Sequence, residues 1–270
     1  MLTSTTTGIP TYTARRIVSV SQRGSSRPVI IETDAGYFFT KLRGAAQGTP
    51  ALVAEIIVAG LAEALDLWIP SRVLIDITPT CQCDIHEDEF MDLLGASYGI
   101  NLGFQYLHQA RDICADEIAA LSEQFVCTVL WLDALVMNVD RTIWNPNLMR
   151  SHSHVWVIDH GAALPFQYRW STVVEDSPRQ SKYPMERHIF WHRANQLDVW
   201  DTRLAAMLSR SVLQSVICQI PDCFLQPLLS SALTVERRRQ AYGAFLWKRL
   251  KSPRPFMDPW FNQKQKSSDC

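Results

Sequence analysis

Residues 52–70, LVAEIIVAGLAEALDLWIP, form the most apolar long run in the chain, and three acids limit what that run can become. Glu55, Glu63 and Asp66 interrupt it, which makes it a poor membrane span. With Pro50 to start it, the segment to Asp66 reads as a helix, its apolar face supplied by Leu52, Ile56 and Leu61 or by Val53, Ile57 and Leu61. Glu55 is the anomaly, because its neighbours Ala51, Leu52, Val58 and Ala59 are small or apolar. A carboxylate in such surroundings needs a cationic partner.

The preceding stretch offers one. RRIVSV, RPVIIET and GYFFTK are three short β-rich runs, the last two joined by Asp34, Ala35 and Gly36, and they predict a small antiparallel sheet whose third strand ends on Lys41. Strand alternation places Phe39 and Tyr37 on the same side as Lys41, with Phe38 and Thr40 opposite. RVLIDIT returns to a strand after the helix. From Ile113 to Met137 the apolar residues Ile118, Leu121, Phe125, Val129, Leu132 and Leu135 recur at steps of three or four, which predicts one long buried helix. DVWDTRLAAMLSRSVLQSVICQI and VERRRQAYGAFLWKRL also have helical period, while KSPRPFMDPWFNQKQKSSDC reads as a tail. A β-rich first third therefore precedes a helical remainder.

The polar residues at the ends of these elements carry the chemistry. The loop NVDRTIWNPNL, Asn138–Leu148, holds Asp140 and Asn145, and the strand VWVIDHG ends on Asp159. A hairpin with SHSH at its tip brings Asn145 and Asp159 together, and an amide oxygen with a carboxylate makes a hard-oxygen pair suited to Mg²⁺ and the phosphates it binds. Asp140 is left to accept the proton of an attacking hydroxyl, and a Lys41–Glu55 pair fixes an ammonium against phosphate oxygens. Taken singly, Asp140 and Asn145 read as turn caps, Asp159 as an acceptor for its own loop, and Lys41–Glu55 as a structural ion pair. Taken together and in order, they read as a phosphoryl-transfer site.

That order, strand lysine, helix glutamate, DxxxxN loop and Asp-His-Gly after a strand, resembles the protein-kinase-like fold and specifically the HipA-like kinase family of bacteria. KLRG with residues 52–70 resembles that family's lysine and helix C, LDALVMNVDRTIWNPNL its catalytic loop, VWVIDHGAAL its metal-binding segment and AYGAFLWKRL its closing helix. The resemblance implies an α+β, two-lobed fold: a small antiparallel-sheet N-lobe with one main helix over residues 1–100, a mostly helical C-lobe over 101–252, and a tail over 253–270. It implies ATP and Mg²⁺ in the cleft, Lys41 on the nucleotide phosphates with Glu55 anchoring it, Asp140 as catalytic acid/base, and Asn145 and Asp159 as metal ligands. The adenine hinge falls near GFQYLHQ, Gly103 to Gln109.

There are departures from the family pattern. No GxGxxG is present; SQRGSSRP stands in its place, so Arg23, Gly24, Ser25 and Ser26 are the expected phosphate contacts. His160 occupies the position where most protein kinases carry phenylalanine. Arg141 follows Asp140, as in phosphatidylinositol kinases, but Thr142 stands where those carry histidine. The expected acceptor is a hydroxyl, of a protein serine or threonine first, with a small-molecule or lipid acceptor and a nucleotide-binding pseudokinase as alternatives. A toxin–antitoxin partner is left open.

Composition narrows the partners further. Lys and Arg total 26 against 27 Asp and Glu, so a net charge of -1 supplies no field to draw the chain onto nucleic acid or an anionic membrane. The seven irregularly spaced cysteines, and an N-terminus without the apolar core of a signal peptide, point to the cytoplasm. Cys81, Cys83 and His86 lack a second ligand pair and read as a surface loop rather than a zinc site. His188 and His192 lack HExxH and read as packing or surface residues; Arg237, Arg238 and Arg239 read as a solvated helix face.

Overall fold

The structure, a computed structural model, describes residues 8–21, 27–45, 47–180, 183–228 and 233–268. Seven strands form the larger sheet: β1 (Thr11–Thr13), β2 (Arg16–Val20), β3 (Val29–Thr33), β4 (Gly36–Lys41), β5 (Arg72–Ile77), β6 (Gln82–Cys83) and β7 (Gly99–Gln105). Their order is β1-β5-β7-β4-β3-β2-β6, antiparallel except where β1 joins β5 and β6 joins β2. The β3–β4 turn closes on the Thr33–Gly36 pair, where Thr33 Oγ1 accepts from Ala35 N at 3.1 Å and Gly36 takes a φ of +110°.

Alternation sorts the sheet into two faces. Ile17, Val29, Ile31 and Phe38 pack on Phe90 and Leu94 of a short helix, while Phe39, Leu74, Leu102 and Phe104 face the main core. Two helices are inserted among these strands: α1 (Gly48–Ala64) and α2 (Asp88–Gly95), the latter carrying Phe90 and Leu94. Helix α1 has no solvent face over most of its length, since every residue from Ala51 to Ala62 is buried. Both of the alternative apolar faces expected from its sequence are therefore used, as for a helix enclosed by other elements.

Residues beyond β7 are mostly helical, with a three-stranded sheet ordered β10-β9-β8 from β8 (Arg111–Asp112), β9 (Leu148–Ser151) and β10 (His154–Val157). The helices are α3 (Ala115–Ala119), α4 (Glu123–Val136), α5 (Ser177–Gln180), α6 (Leu197–Met207), α7 (Arg210–Cys218), α8 (Asp222–Leu225), α9 (Val235–Leu250) and α10 (Asp258–Ser268). Gly60 of α1 lies against α7, and a Cβ there would fall 2.8 Å from Val216 Cγ2. Gly60→Ala is expected to lower stability by about 1–2 kcal/mol in urea denaturation, because overpacking costs more than the roughly 1 kcal/mol that alanine adds in helix propensity.

Several elements depart from the sequence expectations. The single helix expected over 113–137 is two, because Ser122 Oγ accepts from Phe125 N at 3.3 Å and starts α4 afresh. Ser209 divides α6 from α7 in the same way, accepting from Val212 N at 3.2 Å. Arg238 and Arg239 are buried rather than solvated. Three consecutive helix positions span about 200°, so a helix packed on one side cannot turn all three to water. Arg239 donates to Ile220 O at 2.7 Å and Asp222 Oδ1 at 2.6 Å, and Arg238 donates to Leu228 O and stacks over Trp170. The expected tail is packed through Phe256, Met257 and Trp260, with Phe256 edge-on to Trp131 and Arg254 paired to Asp201. The sheet also runs past residue 100, carried by β7 to Gln105. Among the described residues no helix is long and apolar enough to cross a membrane, and no cluster of His, Cys, Asp and Glu has metal-site geometry; Cys81 and Cys83 are half-buried beside the second core.

Candidate active site

Lys41, the last residue of β4, reaches across the fold. Its ammonium donates to Glu55 Oε1 on α1 and, at 2.7 Å, to Asp159 Oδ1 just beyond β10. The Glu55 side chain is 1% exposed, and its Oε1 also accepts the His160 backbone N–H at 2.9 Å. The anomalous acid of the apolar helix thus ties together the sheet, the helix and the segment after Asp159. Burial works against the Lys41 ammonium, but the negative charges of Glu55 and Asp159 outweigh it and hold its pKa above the ordinary lysine value. Burial likewise works against ionised Asp159, but the Lys41 charge and hydrogen bond leave its carboxyl below the usual range. For Glu55, burial dominates and its pKa rises. The contact geometry and the second carboxylate favour a charged lysine.

Asp159 adopts a φ of +56°, a left-handed conformation sparsely used by residues other than glycine. Its side chain remains 46% exposed, so the carboxylate both holds Lys41 and opens onto the cleft. In the same cleft, Asp140 Oδ2 accepts from Asn145 Nδ2 at 2.9 Å and Asn147 Nδ2 at 3.3 Å, while its backbone N–H donates to Asn138 Oδ1 at 3.2 Å. The β9–β10 hairpin turns at His152 and Ser153, and the residues flanking it, Asn145 and Asp159, line one cavity.

Beneath the loop lies a network that the sequence reading missed. Arg141 is buried, and its Nε donates to Asp133 Oδ2 at 2.6 Å. Its Nη1 donates to the carbonyls of Pro146, Asn147 and Ile158, and its Nη2 lies 3.5 Å from His160 Nδ1. One guanidinium therefore fixes both the loop bearing Asp140 and the strand end bearing Asp159. Asp133 also accepts from Asn138 Nδ2 at 3.0 Å and contacts His188 Nε2 at 3.0 Å, and the Tyr183 hydroxyl donates to Asn138 O at 2.7 Å. Burial opposes ionisation of Asp133, yet Arg141 and His188 hold its pKa well below the ordinary carboxylate value. His160 stays neutral, with burial and the Arg141 charge lowering its pKa to about 3. The signal that isolated Glu55 was present at Asp133 too: a lone acid inside the apolar run LWLDALV.

Lys41, Glu55, Asp140, Asn145 and Asp159 all border a cleft of about 770 Å³ between the large sheet and the helical part. Apolar residues of its walls include Phe39, Ile69, Phe104, Leu148 and Val157, and residues 104–107 of the expected hinge run along it. Phe39 and Lys41 share this side of β4, while Phe38 belongs to the opposite core. The expected phosphate contacts Arg23, Gly24, Ser25 and Ser26 lie outside the described residues. The donor set, a half-exposed carboxylate already facing an ammonium and an amide lining the same cleft, fits a hard divalent cation with its phosphate partners.

A family model described as HipA-like kinase matches residues 14–226. Among solved structures, the Helicobacter pylori proinflammatory kinase CtkA has a TM-score of 0.53 to this chain at 10% sequence identity, over 90% of this chain and 94% of that one. At such low identity the likeness concerns the fold, which is the two-lobed, kinase-like α+β arrangement expected from the sequence. No curated protein matches the chain.

Proposed function

The chain belongs to the HipA-like kinase family, and from that premise we propose that it transfers the γ-phosphoryl group of ATP to a hydroxyl of a protein serine or threonine. The observation that carries this reading is the Lys41 ammonium, held between Glu55 and Asp159 in the same cleft that Asp140 faces. Lys41 grips phosphate oxygens, and Glu55 keeps it from relaxing back onto Asp159 alone. The apolar walls around Ile69, Phe104 and Val157 receive the adenine ring against the chain at 104–107. Asn145 and Asp159 would hold Mg²⁺, which would offset the negative charge of the phosphates. Asp140, steadied by two amides, takes the proton from the acceptor hydroxyl as the hydroxyl oxygen bonds to the γ-phosphorus and the bond from that phosphorus to the β–γ bridging oxygen breaks, releasing ADP.

Calorimetry with ATP, with and without Mg²⁺, tests the division of roles. Asp159→Ala is expected to abolish the Mg²⁺-dependent part of the affinity, and Asp140→Ala to keep most of it, because only Asp159 is assigned to the metal. Equal affinity in wild type and Asp159→Ala under both conditions would remove that assignment. Incubation with γ-labelled ATP, Mg²⁺ and lysate then tests transfer itself: label on serine or threonine supports the reading, and label on lipid or small molecules alone overturns the acceptor.

A further inference from the structure

The loop carrying Asp140 displays apolar side chains that nothing in the fold covers. Trp144 is 88% exposed, the highest value for any large apolar side chain among the described residues, with Ile143 at 64% and Val139 at 52% beside it. This is a fixed presentation. Thr142 N donates to Asn145 O at 3.1 Å and Asn145 N to Thr142 O at 3.2 Å, so Ile143 and Trp144 form the tip of a closed turn. Arg141 clamps the carbonyls that follow. Trp144 also lines the catalytic cleft and immediately precedes Asn145, whose amide contacts Asp140. Exposed aromatic surface continuous with a reaction site marks a place where a partner is bound.

We propose that Trp144, flanked by Ile143 and Val139, is the acceptor-specificity surface, and that it selects peptides with a bulky apolar side chain one or two positions from the phosphorylated serine or threonine. This inference rests on the kinase reading above. The spacing follows from chain geometry, since successive residues of an extended peptide advance about 3.3 Å and Trp144 stands next to the residue that touches Asp140. The patch chemistry selects the occupant. A sugar acceptor needs hydrogen-bonding partners for its hydroxyls, but Val139 and Ile143 have none to offer. Of the loop's other polar side chains, Thr142 Oγ1 accepts from Asn145 N, and the Asn145 and Asn147 amides donate to Asp140. An anionic membrane surface needs accessible cations, and the one arginine of this loop, Arg141, is buried.

The test is a degenerate peptide library with a central serine or threonine, one flanking position fixed at a time, phosphorylated by wild type, Trp144→Ala and Trp144→Phe. The exposed position of Trp144 means that neither variant loses core packing. Wild type is expected to favour Leu, Ile, Phe or Trp over Gly or Asp by about tenfold at one flanking position, the usual yield of one well-placed apolar contact. Trp144→Ala is expected to lose that preference through KM on the preferred peptide, and Trp144→Phe to keep it. An unchanged preference in Trp144→Ala, or an equal fall in kcat on every peptide, overturns the proposal. ATP affinity, measured in parallel by calorimetry, separates the two levels: ATP bound with no peptide phosphorylated defeats the peptide acceptor, whereas no ATP binding defeats the kinase reading and this inference with it.

Discussion

Asp140→Asn is expected to leave ATP affinity within about threefold of wild type while lowering turnover by about a hundredfold or more, the usual cost of losing a positioned acid/base. The substitution isolates basicity from architecture. Asp140 Oδ2 accepts from the Asn145 and Asn147 amides, and an asparagine can turn its own amide oxygen to both. Its backbone N–H still donates to Asn138. The loop therefore keeps its shape, and what disappears is the group able to take a proton from the acceptor hydroxyl. Single-turnover measurement with labelled ATP reads the chemical step directly. Turnover equal to wild type would make Asp140 a loop-building residue and move the search for a base elsewhere in the cleft.

Arg141→Met is expected to cost about 3–5 kcal/mol of stability in urea denaturation, the range seen when one partner of a buried ion pair is removed. The loss has two parts. Asp133 would remain in the core with only the Asn138 amide and His188 to face it, and the carbonyls of Pro146, Asn147 and Ile158 would lose their donor. The pH dependence has a definite sign. Because the folded pKa of Asp133 is depressed, its contribution is fully present above the unfolded carboxylate value near 4 and is lost as pH falls through the folded value. The gap between wild type and Arg141→Met should therefore be widest near neutrality and narrow in acid. A variant within about 1 kcal/mol of wild type, near the value of a surface pair, would show that the guanidinium is replaceable by packing.

These two sites were unequally legible. Asp140 and Asn145 could be picked out because their spacing is local, five residues within one loop, and Lys41 with Glu55 because each stood out against its own element: a cation ending an apolar strand and an acid inside an apolar helix. Alternation in β4 likewise sorted Phe39 from Phe38, since a strand's side-chain period depends on nothing beyond the strand. Asp133 carried the same signal as Glu55, yet its partner could not be named. It lies on the far side of a left-handed residue, Met137 at φ +57°, where the chain reverses and Arg141 swings back beneath the helix end.

The buried arginines of α9 and the packed segment at Phe256 and Trp260 belong to the same class, because their charges and rings are matched by carbonyls and surfaces from distant segments. Periodicity reports which way a side chain points, but the end of a helix depends on a single cap. Ser122 and Ser209 each divided what a smooth apolar period had joined. The meeting of Lys41 with Asp159, 118 positions apart, has no local correlate at all. Short-range patterning chose the residue types and the faces of this chain, and the burial of Glu55 and Asp133 then forced charges from remote elements to converge, since neither acid could remain in the core unpaired.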